Sequence, residues 1–372
     1  MQKKIIALAI ASALTVPAIA MAEGGNVSLY GQVNGSVDIV NDGAEASAST
    51  NRLVNNSSRL GVAGSEDIGD GLTAQFQAEG RVNVNGTDTG FKFDRESFIG
   101  VKSADYGAVK AGNLNTPYKI STRGLDVFAD TTAADSRTAG ALDTDGKYQG
   151  MLGGTSENVH DVYLKNAIAY VSPSMGGFTV AAAKAFGAAS AVSGQTKGDA
   201  LSIAGMYSLD SLYVTLAYQN VKFGDTGTGT LAGTVDDEAK AMKLGASYSM
   251  EGFTVNAVVE KPTFTEKVTG NETKNTNFYV AGKYNLSATD AVKLAYAKNG
   301  DTTSSDPLVG KLTNSRTQVS VGYDHAMSKR TSVYALYSKV TDKGDNTYAS
   351  PTVPLVANPD PSTVSFGMKH AF

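Results

Sequence analysis

The sequence predicts an all-β fold, a sixteen-stranded antiparallel transmembrane barrel, and three observations carry that prediction. Apolar and polar residues alternate with period two through one stretch after another, which gives each strand an apolar and a polar face. These stretches join in hairpins with short turns, while the segments between hairpins are long, polar and rich in Gly, Thr and Asp. Beyond residue 22 no apolar run approaches the roughly 20 residues of a membrane helix, although 41% of the chain is hydrophobic. Dispersal by alternation is how a barrel carries its membrane-facing surface.

The amino-terminal stretch reads as a leader. Lys3 and Lys4 precede an apolar run over 5–20, and Ala20-Met21-Ala22 gives the small-x-small pattern of a cleavage site. Residues 1–22 are expected to be a signal peptide and 23–372 a single barrel domain. Without Lys3 and Lys4, 30 basic residues face 36 acidic ones, a net charge of about −6 that offers nucleic acid no basic footprint. With no Cys, an exported chain has neither disulfides nor thiolate metal ligands. No cofactor or metal site is expected.

In VSLYGQVNGSVDI, Val27, Leu29, Gly31, Val33, Gly35, Val37 and Ile39 oppose Ser28, Tyr30, Gln32, Asn34, Ser36 and Asp38. A polar loop is expected over 41–56. SRLGVAGSE and LTAQFQAEGRVNV then form a hairpin around Gly69-Asp70-Gly71. RESFIGVKSADYGAVKAGN turns at 104–107, and NAIAYVSPSMGGFTVAAAKAF turns at 173–177. Four more hairpins follow in ALSIAGMYSLDSLYVTLAYQN, AMKLGASYSMEGFTVNAVVE, NFYVAGKYNLSATDAVKLAYAK and TQVSVGYDHAMSKRTSVYALYSKV. The last strand, VSFGMKHAF, places Val364, Phe366, Met368, His370 and Phe372 on one face and ends on an aromatic, as suits a strand closing a barrel at an aromatic girdle. Those nine residues alone would also fit an edge strand of a soluble sheet.

SLYGQVNGSVD, SSRLGVAGSEDIGDGLTAQFQAEG, RESFIGVKSADYGAVKAGN, NAIAYVSPSMGGFTV and the terminal FGMKHAF resemble, in order, the signatures of the Gram-negative general porins. The resemblance implies an outer-membrane homotrimer, each barrel holding a water-filled channel for passive diffusion of small hydrophilic solutes and ions, with a long third loop folded into the lumen. Sixteen strands leave an aqueous interior on geometric grounds as well. It further implies contact with outer-membrane lipid and lipopolysaccharide, and a carboxy-terminal assembly signal, Phe366, Met368, His370 and Phe372, read by the barrel-assembly machinery.

By this resemblance the interval 114–160 is the constricting loop, and its length agrees, since connections beyond roughly 15 residues usually carry function or disorder. Asp126 and Asp130 in GLDVFAD would be its acids, although the aromatic-Gly-Gly signature of many relatives is missing. Arg59, Arg81, Arg95 and Lys165 would form the facing basic wall, with Glu79 as a lumen acid and Gln32 where some relatives carry lysine. Each of these charges also has a plain reading as a solvated rim or loop residue. Cations opposite carboxylates set a transverse field that selects by charge. Alternation sends nine basic strand residues inward (the four above with Lys243, Lys283, Lys293, Arg316 and Lys369) against Asp38, Glu79, Glu260 and Asp324, which points to a mild anion preference.

Rival functions are a barrel enzyme, a substrate-specific channel for sugars or anions, and an adhesive barrel. Hydrolysis needs a positioned base, usually His; only His160, His325 and His370 exist, in separate parts of the pattern, and no nucleophile elbow, phosphate loop or metal cluster accompanies them. A sugar slide would want aromatic residues, and the chain has no Trp.

Overall fold

The computed structural model describes residues 27–41, 43, 49–86, 91–136, 162–187, 199–222, 237–266, 269–308, 310–343 and 360–372. The leader lies outside them, as do His160 and the second half of the long interval.

Among the described residues nineteen strands form one antiparallel sheet. In chain order they are β1 (Val27–Asn41), β2 (Thr50–Asn55), β3 (Arg59–Gly69), β4 (Leu72–Arg81), β5 (Ser97–Ser103), β6 (Gly107–Asn115), β7 (Tyr163–Val171), β8 (Phe178–Ala185), β9 (Ala200–Leu209) and β10 (Leu212–Lys222). There follow β11 (Glu238–Met250), β12 (Phe253–Thr265), β13 (Glu272–Lys274), β14 (Asn277–Asn285), β15 (Asp290–Asn299), β16 (Thr303–Ser304), β17 (Arg316–Ala326), β18 (Thr331–Asp342) and β19 (Ser362–Ala371). The short β2, β13 and β16 continue β3, β14 and β15 beyond local breaks, so the wall is sixteen strands, as the periodicity predicts. β2 falls inside the expected 41–56 loop. The cause is the length of β1, whose far half, Gly35 to Val40, needs ladder partners and finds them in Asn55 to Thr50.

Neighbouring strands pair in sequence, and the ring closes where β1 meets β19 as well as β3: Gln32 stands opposite Arg59 on one side and Ala371 on the other. At the seam Gly31 and Phe372 exchange backbone hydrogen bonds of 3.1 Å in both directions. The short turns lie at one rim, as at 70–71, 104–106, 210–211 and 251–252. In the first of them Gly69, Asp70 and Gly71 all take positive φ, the left-handed twist a tight hairpin demands.

Burial follows the alternation. On β15, Ala291, Ala295 and Ala297 are buried while Val292, Leu294 and Tyr296 are exposed, Leu294 at 58%. Leu29, Ile99, Leu216, Leu244 and Phe366 are likewise exposed on the outside. Water would penalise each large apolar side chain by about 1.5–3 kcal/mol, so a belt of them requires lipid. No helix of the described residues is long and apolar enough to cross a membrane; the crossing is made by strands.

Candidate functional site

After β6 the chain enters a helix, α1 (Pro117–Arg123). Thr116 caps it, its hydroxyl accepting the Lys119 N–H at 3.0 Å, and Pro117 supplies a preset first turn. Helix and following turns, through 136, are bonded to inward-facing residues on strands all round the barrel. Tyr118, fully buried, donates its hydroxyl to Glu260 on β12 at 2.5 Å, and its N–H donates to the Ser202 hydroxyl on β9 at 3.0 Å. Tyr213 on β10 donates to the Ser121 carbonyl at 2.6 Å, and Asn256 on β12 to that of Leu125 at 2.7 Å. On the far side, Asn34 of β1 donates to the Asp130 carbonyl at 2.7 Å, and Asn56 accepts the Thr132 N–H at 2.7 Å. Two wall glycines make seats for this segment. A Cβ on Gly322 would stand 2.7 Å from the Phe128 ring, and one on Gly245 would stand 2.8 Å from Leu125.

Charge gathers where the segment meets β1 and β3. Asp130, in the left-handed conformation an Asp tolerates (φ 63°), accepts from Arg59 at 3.2 Å and Gln32 at 3.3 Å through Oδ2, and from Arg123 through Oδ1. Arg123 also binds Asp135 at 3.0 Å, so Arg59, Asp130, Arg123 and Asp135 alternate in sign along one chain. Burial pulls the Arg123 guanidinium pKa down, but Asp130, Asp135 and Asp126 outweigh it and hold the group firmly protonated. Beside this chain Arg95 pairs with Glu79, which also accepts from the Tyr30 hydroxyl at 3.0 Å. Lys119 and Arg95 both lie over the Tyr163 ring, at 3.8 and 5.8 Å from its centroid. Lys293 pairs with Asp324 at 2.8 Å and lies 4.7 Å from the Phe128 ring centroid.

The residues singled out from the sequence are therefore dispersed among different roles. Arg59, Asp130, Arg95 and Glu79 come together, although Arg95 sits in the coil before β5 and not on a strand. Arg81 ends β4 directly opposite Arg59; the repulsion this invites is relieved because Arg81 turns to Asp94 at 3.4 Å. Lys165 is exposed on β7 next to Asn166, whose positive φ interrupts the alternation that placed it inward, and no described bond joins it to the cluster. Asp126 is not paired with Asp130. Its oxygens accept from the Tyr279 hydroxyl at 3.0 Å, the Phe128 N–H at 2.8 Å and the N–H and hydroxyl of Ser136 at 2.8 and 2.6 Å. Arg123, Asp135, Tyr118 and Glu260 escaped the sequence reading as parts of this site. The Thr116-Pro117 pair is a helix-start signal that would have found α1 and its last-turn Arg123; Asp135 has no such signal.

A closed sixteen-stranded barrel with an apolar outer belt and a charged, hydrogen-bonded interior defines a membrane-spanning channel protein of the outer-membrane type. The model of the Gram-negative porin family matches residues 7–345, and the chain belongs to that family. It is a channel of the Gram-negative outer membrane. Over its whole length, and the whole of the relative, it is 26% identical to outer membrane porin protein 32 of Delftia acidovorans. The fold matches that of an anion-selective porin from Comamonas acidovorans with a TM-score of 0.73 at 23% identity, covering 93% of this chain and 99% of that one. It also matches the trimer form of OmpT, an outer membrane protein of Vibrio cholerae, with a TM-score of 0.68 at 16% identity, covering 94% and 100%.

Proposed function

We propose that the chain is a general diffusion channel for small hydrophilic solutes and ions, narrowed where residues 116–136 of its long connection meet the wall at Arg59 and Arg95, with a mild preference for anions. The carrying observation is the chain Arg59, Asp130, Arg123, Asp135, bonded across from β3 to the connection. Fixed cations and carboxylates facing one another in a low-dielectric passage act on every ion that crosses, whereas loop charges at the rim are screened within about 8–10 Å. Of the nine inward basic residues counted from alternation, Lys165 drops out and eight remain against four acids, while α1 adds Lys119 and Arg123 and the segment adds Asp126, Asp130 and Asp135. The balance stays positive by a few charges, hence a weak preference. The anion selectivity attributed to the Comamonas porin accords with this sign.

The same reading makes the functional unit a homotrimer, for which the Vibrio relative's trimer form gives support, and a channel without catalysis. His325 is bonded to Asp290 and His370 to the Thr331 hydroxyl, both at 2.8 Å and both at the short-turn rim. Purified protein in a planar bilayer should insert in threefold conductance steps with ohmic current, and across a KCl gradient its zero-current potential should carry the anion sign. Replacing Arg59 and Arg123 together with Gln should move that potential toward cations. A cation-selective parent channel, or a double variant with the parent's potential, would overturn the assignment of the filter.

A further inference from the structure

Most cations where the inner segment meets the wall are matched by a carboxylate. Arg59 and Arg123 both meet Asp130, and Arg123 also meets Asp135, so this chain of two guanidiniums and two carboxylates sums to zero. Arg95 is matched by Glu79, Arg81 by Asp94 and Lys293 by Asp324. A matched pair presents a dipole to a passing ion, and the field of a dipole falls away faster than that of a single charge.

Lys369 has no such match. It lies on β19, the closing strand, where Phe366, Met368 and His370 are exposed on the outer face, and it shares the inner parity of the buried Ser365. The ladder gives it Asn34 of β1 on one side and Ser332 of β18 on the other, both neutral. Among the described residues no carboxylate lies within ion-pair distance of it. Its ammonium nevertheless stands in the field of Asp130, Arg59, Arg123 and Lys293, and its neighbour Asn34 is the residue that donates to the Asp130 carbonyl at 2.7 Å. With Lys369 counted, the group around Asp130 changes from two cations and two anions to three cations and two anions.

We propose that Lys369 is a specificity-determining residue of this channel: it is the positive charge left over in the group around Asp130, and it sets the preference for anions. The matched arginines shape the passage, while the carboxylates bound to them cancel most of their field at the distance of a passing ion. Removing Arg59 and Arg123 acts by uncovering Asp130 and Asp135; removing Lys369 uncovers no paired acid and subtracts one charge. The inference rests on the proposed passage at Arg59 and Arg95, and the two fail separately. The sign of the parent's zero-current potential and the Arg59/Arg123 variant test the passage, whereas the difference between the parent and a Lys369 variant tests the leftover charge whatever the parent's sign.

The chain has no Cys, so a Lys369→Cys variant carries a single thiol that can be given a charge of either sign in the folded channel. In planar bilayers under a KCl gradient near 0.1 M, where a charge acts over about 10 Å, its anion-to-cation permeability ratio should fall about twofold below the parent's. Aminoethyl methanethiosulfonate, which adds an ammonium, should restore the parent's ratio, and sulfonatoethyl methanethiosulfonate, which adds a sulfonate, should lower it about twofold further. Ser332→Cys keeps Lys369 and puts the thiol directly opposite it, so there the sulfonate should cancel Lys369 and lower the ratio while the ammonium raises it. That variant reads the same charge if Lys369→Cys assembles poorly. Lys329→Cys, exposed in the turn between β17 and β18, should keep the parent's ratio before and after either reagent. A Lys369→Cys channel with the parent's ratio, equal shifts from the two reagents, or a shift at Lys329 as large as that at Lys369 would each overturn the proposal.

Discussion

Asp126 and Asp130 are four residues apart in one segment and do opposite things, because of what each carboxylate meets. Asp130 lies between Arg59 and Arg123 and moderates their charge; Asp126 is occupied by Tyr279, Phe128 and Ser136 and holds the turn together. Asp130→Asn should therefore raise anion over cation permeability, by roughly twofold if one charge at a narrow passage is uncovered. Asp126→Asn should instead destabilise the segment by about 1–3 kcal/mol, the scale of leaving buried partners unsatisfied. Paired zero-current potentials and thermal unfolding of the two variants separate the roles; a reversal of the two effects would show them misassigned. Sequence alone made Arg59 legible, since it sits at a fixed parity in an alternating strand. It could not rank the two acids, because parity has no meaning in a turn and only the fold decides which carboxylate faces a guanidinium.

Strands were readable as elements where one face needs lipid, and unreadable where it does not. The belt positions of β1, β15 or β19 announce themselves by alternation. β13 and β16 carry no large apolar side chain and β2 carries one such outer residue, Leu53 opposite Val37; the three are too short to show an alternation, and their residues are in strands only because a longer neighbour presents unpaired backbone. β19 shows the strongest coupling of sequence to element. The residue that follows it, Phe372, completes two backbone hydrogen bonds with Gly31, and its ring fills the space over that glycine, where a Cβ would come within 2.7 Å. Deleting Phe372 should thus impair closure and assembly and leave the conductance of any barrel that does assemble unchanged. Gly31→Val should reproduce the assembly defect from the other side of the seam by displacing the ring. Heat-modifiable mobility and surface labelling read out the assembled fraction; normal surface levels for both variants would count against the seam as the closing step.

The whole molecule is turned inside out relative to a water-soluble domain: small and polar residues face the lumen and large apolar ones face outward. That inversion was legible in the sequence because it uses the shortest period a strand has, and it makes neighbouring residues maximally unlike in what they tolerate. Leu294 and Ala295 on β15 are the sharpest pair. Leu294 is 58% exposed on the outer face, opposite Gly282 and Val321, and Ala295 is 5% exposed on the inner face, opposite Ala281 and Ser320. In water the exposed site would accept Arg readily and the buried one would resist it. In a bilayer the order reverses. Arg at Leu294 meets hydrocarbon near mid-strand and should cost about 2–4 kcal/mol. Arg at Ala295 faces inward, where it must push aside the inner segment whose Leu125 and Phe128 share its buried cluster but meets no hydrocarbon, and should cost less while lowering conductance. Urea titrations of the refolded variants in lipid vesicles give the two free energies directly. A greater loss at Ala295 than at Leu294 would mean that this face of the barrel does not meet lipid.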